Sequence, residues 1–219
     1  MIKVLPSSNP CPENQLLDYV RELQKLGVEY LHCDVMDGVF VENKCLSYDV
    51  LENIRNNTNI LLDVHLMVDD VYNEVVKYSQ LKPSIITIHY EAPKSIAEIK
   101  KVIKYLKSKQ IMVGMSLKPN TQIEMIESYI KDLDLILIMS VEPGKSGQTF
   151  IADSIDKIKK AKNLTLDRDI IIEVDGGVNE SNKDEIIKAG ARFLVMGNAF
   201  YNSKDRLSLL SNIDKHYTK

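Results

Sequence analysis

Eight short apolar segments alternate with helical patterns along the 219-residue chain, and this alternation limits the possible folds. The segments are rich in Val and Ile and apolar on both faces, which is typical of strands buried in a parallel sheet. Repeated strand and helix signals indicate one α/β domain. The predicted strands are Ile2–Leu5, Glu29–Asp34, Ile60–Leu66, Ile85–His89, Ile111–Leu117, Leu135–Val141, Ile170–Val174 and Phe193–Met196.

Apolar residues at helical spacing predict helices between these strands. The first predicted helix stops at Gly27. Asn120 or Thr121 is the expected N-cap of the third, and Asn179 or Ser181 that of the last. The predicted helices are Glu13–Leu26, Ser95–Ser108, Gln122–Ile130 and a segment ending at Ala189-Gly190.

Chain length and glycine placement favour a single (β/α)8 barrel over residues 1–219. The main rival, an open doubly wound sheet, normally carries a glycine-rich turn after its first strand. Here residues 6–10 read Pro-Ser-Ser-Asn-Pro. The glycines gather instead after the late strands, where barrels bind phosphate through exposed backbone N–H groups. They are Gly144, Gly147, Gly176, Gly177 and Gly197, the last followed by Asn198.

Composition excludes several classes of function. The net charge of −3 provides no basic field for nucleic acid, and no apolar run approaches the roughly 20 residues of a membrane span. The three cysteines match no zinc pattern and are expected to be free thiols. The N-terminus lacks a signal-peptide pattern, so a cytoplasmic protein is expected. The lysine-rich stretch Lys157–Lys162 is interpreted as a solvated helix face.

Ionisable side chains stand at the predicted ends of three separated strands. They are His32, Asp34, His65 and Asp175. Active sites of barrels lie at the carboxyl ends of the strands, so these four side chains are expected to converge. Two imidazoles and two carboxylates suit a divalent metal, and the two carboxylates also suit an acid/base pair.

Further strand-end residues leave two interpretations open. Asp63 and Glu173 share the strand face of His65 and Asp175 but lie two residues deeper. They either orient the ligands or form a buried carboxylate pair within the barrel, and the second interpretation is preferred. Methionines near strand ends are either core residues or the wall of an apolar pocket. These are Met36, Met67, Met115 and Met139.

The motifs together resemble the ribulose-phosphate 3-epimerase family, and the matching segments run through almost the whole chain. The most specific are residues 32–41 (HCDVMDGVFV), 62–67 (LDVHLM) and 173–178 (EVDGGV). Pro6-Ser7, residues 89–92 (HYEA), residues 139–144 (MSVEPG) with Gly147-Gln148, and Ala189-Gly190-Ala191 also match.

This resemblance implies a (β/α)8 TIM barrel of the ribulose-phosphate-binding type. It implies one divalent ion (Zn, Fe, Mn or Co) held by His32, Asp34, His65 and Asp175, with Asp34 and Asp175 as the acid/base pair. The substrate, a phosphorylated ketose, is expected beside Ser7, His65 and the methionines Met36, Met67 and Met139. Its phosphate is expected near Gly144–Gly147 (including Lys145 and Ser146), Gly176-Gly177 and Gly197-Asn198. A homo-oligomer, dimer or hexamer, is also implied.

The expected reaction is the interconversion of D-ribulose 5-phosphate and D-xylulose 5-phosphate. Removing the proton beside the ketone creates an enediolate, whose negative charge a metal can hold as a Lewis acid. Inversion requires removal of the proton on one face and its return on the other. Two opposed carboxylates achieve this without moving, and their pKa values belong to the pair.

Departures from the family pattern lie around the substrate loops. Glu42 replaces a proline, Lys118 an asparagine, and Asn198 a serine. Lys145-Ser146 replaces Phe-Gly in the loop after the sixth predicted strand. Lys145 either contacts the substrate or points to solvent. Ser146 is expected to stiffen the loop. None of these changes removes a predicted metal ligand or proton carrier.

The sequence is also compatible, to different degrees, with three functions other than ribulose-phosphate epimerisation. The nearest is the same chemistry on a hexulose phosphate such as allulose 6-phosphate. A related barrel decarboxylase would need an Asp-x-Lys pair, but the corresponding stretch is Asp34-Val35-Met36. A non-catalytic sugar-phosphate or metal sensor would be expected to have lost ligands, whereas all four are present.

Overall fold

The structure is a computed structural model that describes residues 1–210. Strand bounds follow the predicted segments closely, with one short strand in addition. They are β1 Lys3–Pro6, β2 Tyr30–Asp37, β3 Lys44–Cys45, β4 Leu61–Met67, β5 Ile85–His89, β6 Met112–Leu117, β7 Leu135–Met139, β8 Ile171–Asp175 and β9 Phe193–Met196.

Helices follow most of the strands. The α-helices are α1 Leu16–Lys25, α2 Tyr48–Asn57, α3 Val71–Ser79, α4 Ile96–Ser108, α5 Ser154–Leu164, α6 Lys183–Ala189 and α7 Asn198–Tyr201. Two 3-10 helices cover Glu13–Gln15 and Ile123–Asp132. Within residues 1–210, no helix is long and apolar enough to cross a membrane.

The parallel strands pair in chain order, which produces the predicted barrel. Neighbours run β2, β4, β5, β6, β7, β8, β9 and β1, each parallel to the next. The ring closes between β1 and β2 through a parallel bridge of Ser7 with His32 and a bond from Ser8 N to the His32 carbonyl at 2.8 Å. The prediction of a (β/α)8 barrel is confirmed. Strand β3, which the sequence did not predict, adds to β2 antiparallel.

Strand alternation divides the buried side chains into two layers. Outward-facing residues such as Val64 and Ile138 pack under the helices. Inward-facing residues, among them Leu5, Leu137 and Phe193, form a smaller apolar cluster inside the barrel. Polar residues of the same strand face therefore point into the barrel above this cluster.

Several local predictions were wrong. The segment predicted as helix Gln122–Ile130 is 3-10 throughout, and neither Asn120 nor Thr121 caps it, because Gln122 is its N-cap. Helix α6 has Asn182 as N-cap, rather than Asn179 or Ser181. In these segments turn hydrogen bonds within the loops replace side-chain caps, as in the bond from Asn179 N to Asn182 Oδ1.

Lys157 also departs from its predicted solvated position. Its ammonium donates to the Lys118 carbonyl at 2.6 Å, and the side chain is half-buried. Burial lowers the pKa of Lys157 to about 8. Lys157 therefore supports the loop after β6, whereas Lys159 and Lys160 are exposed as expected.

Candidate active site

Four side chains from three strands meet at the carboxyl end of the barrel. His32 and Asp34 lie on β2, His65 on β4 and Asp175 on β8. The strand register places Asp34 directly opposite His65, so both side chains point inward at the same level. One ligand atom from each residue lies within 4.8 Å of the others. The structure thus brings together the complete predicted ligand set.

Distances among these atoms fit the ligand shell of one ion. Asp34 Oδ1 lies 3.3 Å from His32 Nε2 and 3.2 Å from His65 Nδ1. Asp175 Oδ2 lies 3.9 Å from His32 Nε2. Ligands about 2.1 Å from a tetrahedral ion lie about 3.4 Å from one another. His32 Nε2 is buried without a hydrogen-bond partner, as a nitrogen that faces a metal would be.

A carboxylate below the site orients His32. Asp63 Oδ2 accepts a hydrogen bond from His32 Nδ1 at 2.6 Å, and Glu173 Oε1 lies 3.5 Å from the same nitrogen. Asp63 therefore fits both interpretations given from the sequence. It is a buried, paired carboxylate, and it orients a candidate ligand because its partner is His32. With its proton on Nδ1, His32 presents an unprotonated Nε2 to the site.

Electrostatics at the base of the site favour a cation. Burial alone would keep the His32 ring neutral, but Asp34 and Asp63 raise its pKa well above the usual value. Burial and the adjacent Asp63 likewise raise the pKa of Glu173 well above that of a free glutamate. These buried carboxylates attract positive charge, which is supplied by a proton on His32 or by a metal in its place.

The two candidate acid/base groups differ in their affinity for a proton. Burial opposes ionisation of Asp34, yet His32 and His65 hold the pKa of its carboxyl well below the usual range. Burial and the charge of Asp34 raise the pKa of Asp175 to about 6. Ser7 Oγ donates a hydrogen bond to Asp34 Oδ2 at 2.8 Å, which further favours the ionised carboxylate. Asp34 is therefore the ionised member of the pair, and Asp175 is the member that binds a proton more readily.

His65 also has a partner that the sequence analysis did not assign to the site. Its Nε2 lies 2.9 Å from Nε2 of His89, at the end of β5. Nδ1 of His89 lies 3.3 Å from Glu91 Oε2. Burial lowers the pKa of His89 to about 4, against the opposing effect of Glu91. The motif at residues 89–92 and the inward face of His89 were the available signals.

A cavity of about 580 Å³ opens above the candidate ligands. Asp34 and Asp175 reach its wall, whereas His32 and His65 are fully buried beneath it. The predicted substrate-contact residues that line it are Ser7, Met36, Met67, Met139, Gly144, Lys145, Ser146, Gly147, Gly176, Gly177, Gly197 and Asn198. His65 is the one member of the predicted contact set that lies outside this lining.

The fourth methionine is a core residue, which was one of the two interpretations of the strand-end methionines. Met115 is fully buried in the layer between strands and helices, because it occupies the outward face of β6. Met36, Met67 and Met139 instead point into the barrel and line the cavity. They form the apolar wall above the polar base.

The candidate phosphate loops converge on one side of the cavity. Gly177 has a φ of +66°, and a Cβ there would lie 2.4 Å from Phe150 N. A Cβ on Gly147 would lie 2.8 Å from Asn198 Nδ2. At Gly177 the close Phe150 backbone leaves no room for a side chain, whereas at Gly147 the φ of +79° favours glycine. The loops after β7, β8 and β9 pack together around backbone that can approach a ligand closely.

The loops after β2 and β7 meet across the cavity entrance. Asn43 Nδ2 donates to the Gly144 carbonyl at 2.6 Å, and Lys145 Nζ lies 3.4 Å from Glu42 Oε2. Glu42 and Lys145 thus form an ion pair between two positions that depart from the family pattern. The Lys145 side chain is 65% exposed although it reaches the cavity lining. Ser146 does not have a positive φ, so its backbone does not require glycine.

Comparison with known proteins agrees with this architecture. The model of the ribulose-phosphate 3-epimerase family matches residues 3–201. The ribulose-phosphate 3-epimerase of Bacillus subtilis is 36% identical over 216 residues, covering 97% of this chain and 98% of the relative. The chloroplastic ribulose-5-phosphate-3-epimerase of Arabidopsis thaliana is 34% identical, covering 97% and 76%.

Solved structures share the fold at much lower identity. A 3-hexulose-6-phosphate synthase superimposes with a TM-score of 0.72 at 14% identity, covering 94% of this chain and 95% of that one. KGPDC from Streptococcus mutans gives a TM-score of 0.73 at 10% identity, covering 94% and 93%. The family match and the two epimerase relatives confirm the resemblance seen in the sequence: the chain belongs to the ribulose-phosphate 3-epimerase family.

Proposed function

We propose that this protein is an isomerase that interconverts D-ribulose 5-phosphate and D-xylulose 5-phosphate by epimerisation at C3. Membership of the family and the names of the relatives support the reaction. The observation that carries the mechanism is the pairing of Asp34 and Asp175, from strands on either side of β1 and β9, around two buried histidines.

A divalent ion is the proposed cofactor, held by His32, Asp34, His65 and Asp175. The unpartnered His32 Nε2 and the spacing of the donor atoms fit this assignment. Such an ion would supply Lewis acidity that stabilises negative charge on the substrate oxygens. Mixed nitrogen and oxygen ligands suit Zn, Fe, Mn or Co, and we propose that the metal is one of these four.

Asp34 and Asp175 move the protons in the proposed mechanism. One carboxylate removes the C3 proton from one face of the substrate, and the other carboxylic acid delivers a proton to the opposite face. The reverse reaction exchanges their roles. The low pKa of Asp34 keeps it ionised, and the raised pKa of Asp175 makes it the member of the pair that holds a proton more readily.

The cavity walls position the substrate in this proposal. Met36, Met67 and Met139 exclude water from the reacting carbons, and Ser7 holds Asp34 through its hydrogen bond. We propose that the phosphate lies among the glycine loops beside Asn198, where Lys145 adds a nearby positive charge. Self-association and a cytoplasmic location stay predictions from the sequence.

Removal and return of the metal test the cofactor. We expect the purified protein to contain about one divalent ion per chain and to lose epimerisation on prolonged chelation. Zn, Mn, Fe or Co should restore activity, whereas Mg should restore little because it binds imidazole weakly. Full activity in verified metal-free protein would contradict the proposed site.

Substrate comparison distinguishes the pentulose from the hexulose phosphate. We expect kcat/KM to be higher for D-ribulose 5-phosphate than for allulose 6-phosphate under identical metal loading. A preference for the hexulose phosphate would overturn the substrate assignment while leaving the chemistry intact. Binding of both sugars without turnover would instead indicate a sensor.

A further inference from the structure

We propose that His89 and Glu91 are positioning residues that fix the tautomer of His65, so that His65 Nδ1 is unprotonated toward Asp34. The three side chains form a hydrogen-bonded chain from the rim of the barrel to the metal site. This inference rests on the metal site proposed above and extends it by two residues outside the ligand set.

The outer end of the chain is a hydrogen-bond acceptor. Glu91 Oε1 accepts the backbone N–H of Lys118 at 2.8 Å and a short hydrogen bond from the Thr121 hydroxyl. Its Oε2 faces His89 Nδ1 at 3.3 Å. With two donors fixed on one oxygen, Glu91 is held as an ionised carboxylate. His89 Nδ1 therefore carries the proton in this pair.

His89, the middle member of this hydrogen-bonded chain, determines which nitrogen of His65 is the donor. A neutral His89 with its proton on Nδ1 has a free lone pair on Nε2. That atom lies 2.9 Å from His65 Nε2, and two unprotonated nitrogens at this distance would repel each other. His65 Nε2 must then be the donor, which leaves its Nδ1 unprotonated.

Packing prevents the rings from escaping this arrangement. His65 and His89 are both fully buried, and their centroids lie 4.9 Å apart. The Phe40 ring packs against His89, with ring centroids 4.8 Å apart. His65 Nδ1 is thereby aimed at the site, 3.2 Å from Asp34 Oδ1. These two atoms lie within hydrogen-bonding distance of each other, and a metal ion bound by both would take the place of a proton between them.

Both candidate histidine ligands are consequently oriented by a carboxylate, through different routes. Asp63 contacts His32 directly at 2.6 Å, whereas Glu91 acts on His65 through His89. Partners of this kind typically change metal affinity by about 10- to 100-fold when they are removed. The His89 ring separates the Glu91 charge from the reacting centre. It also relays the hydrogen-bond direction that Glu91 sets, so that His65 Nε2 is the donor.

Nitrogen NMR of the protein loaded with diamagnetic Zn(II) tests the proposed tautomers, because without an ion Asp34 is a second acceptor for the His65 proton. The chain has four histidines, so ¹⁵N-labelled protein and single substitutions allow each ring to be assigned. We expect His65 to be protonated at Nε2 only and His89 at Nδ1 only. A proton on His65 Nδ1 in the neutral ring would overturn the proposal, whatever the metal affinity.

Metal affinity tests the consequence of the tautomer. In Co(II) titrations against a competing chelator, we expect His89→Leu to weaken binding by about 10- to 100-fold. The variant His89→Gln keeps an amide oxygen that can accept from His65, and it should recover most of that loss. Tyr90→Phe, on the neighbouring residue, is the matched control and should bind as the wild type does.

The possible failures are distinguishable. Unfolding free energies measured on the same variants without metal separate a loss of affinity from a loss of folding. Co(II) binding by folded His89→Leu within threefold of the wild type would overturn the positioning role. Failure of the wild type itself to bind Co(II) would instead overturn the metal site on which this inference rests.

Discussion

His32 donates its Nδ1 proton to Asp63 across 2.6 Å, and neither side chain is exposed to solvent. This contact selects the ring nitrogen that His32 presents to Asp34 and Asp175. We therefore predict that Asp63→Asn lowers affinity for Zn(II) or Co(II) by about 10- to 100-fold, because the amide removes the negative charge that favours a Nδ1 proton. Competition with a metal indicator measures the change.

Glu173→Gln is the matched control for that variant. Glu173 is buried beside the same histidine, but burial and Asp63 raise the pKa of its carboxyl well above the usual value, so its negative charge matters less to His32 than that of Asp63. An amide of the same shape should leave metal affinity within a fewfold of the wild type. Equal losses in both variants would show that general disruption of the barrel interior, and not the Asp63 charge, controls affinity.

The sequence predicted the ligand set but not all of its support. Period-two alternation fixes which strand residues share a face, so His32, Asp34 and His65 could be placed together once a barrel was assumed. Their contacts with Asp63 and His89 depend on rotamers and on neighbouring strands, which alternation does not determine. Met115, on the outward face of β6, shows how a one-residue change of face moves a side chain out of the cavity.

Removal of the Ser7 hydroxyl tests the base. Ser7 Oγ donates to Asp34 Oδ2 at 2.8 Å and also accepts from Asn9 N at 3.1 Å. We expect Ser7→Ala to reduce kcat/KM about 10-fold and to lower the free energy of unfolding by about 1 kcal/mol, the usual effect of a lost hydrogen bond. Steady-state kinetics with urea denaturation measures both, and unchanged kinetics in a folded variant would exclude a role for Ser7 at Asp34.

Glu91 should contribute stability that depends on pH. Although burial opposes ionisation, hydrogen bonds from His89, Thr121 and Lys118 N lower the pKa of Glu91 to about 2. A carboxyl whose pKa is lower in the folded chain stabilises the fold above the unfolded value near 4.5, and this contribution falls as pH drops toward 2. Urea denaturation of metal-free Glu91→Gln should show a deficit of about 1–3 kcal/mol at pH 7 that narrows by pH 3.5. A deficit independent of pH would contradict the assignment.

The ion pair of Glu42 with Lys145 should affect substrate binding more than folding. Both side chains are mostly exposed, and such pairs contribute about 0–1 kcal/mol. We predict that Lys145→Gln raises KM several-fold with little change in kcat, because a cation at the cavity wall attracts the substrate phosphate. Glu42→Gln, its matched partner, should leave KM unchanged or lower it. An unchanged KM in Lys145→Gln would mean that the Lys145 side chain points to solvent and does not contact the substrate.

Loop details lay beyond the sequence patterns for a physical reason. The 3-10 helix Ile123–Asp132 keeps an apolar stripe that fits an α-helix equally well, so periodicity did not separate the two. Lys157 sits in a lysine-rich stretch, yet its ammonium turns inward and donates to the carbonyls of Lys118 and Pro119. Contacts between distant loops decide both cases.

Proton exchange in D2O by the Asp34→Asn and Asp175→Asn variants tests the two-carboxylate mechanism most directly. We predict that each metal-loaded variant loses epimerisation by about 10²- to 10⁴-fold. Each should still exchange the C3 hydrogen of one epimer only, and the two variants should exchange opposite epimers. Epimerisation by either variant at near wild-type rates, or exchange of both epimers by a single variant, would contradict a mechanism with one carboxylate on each face.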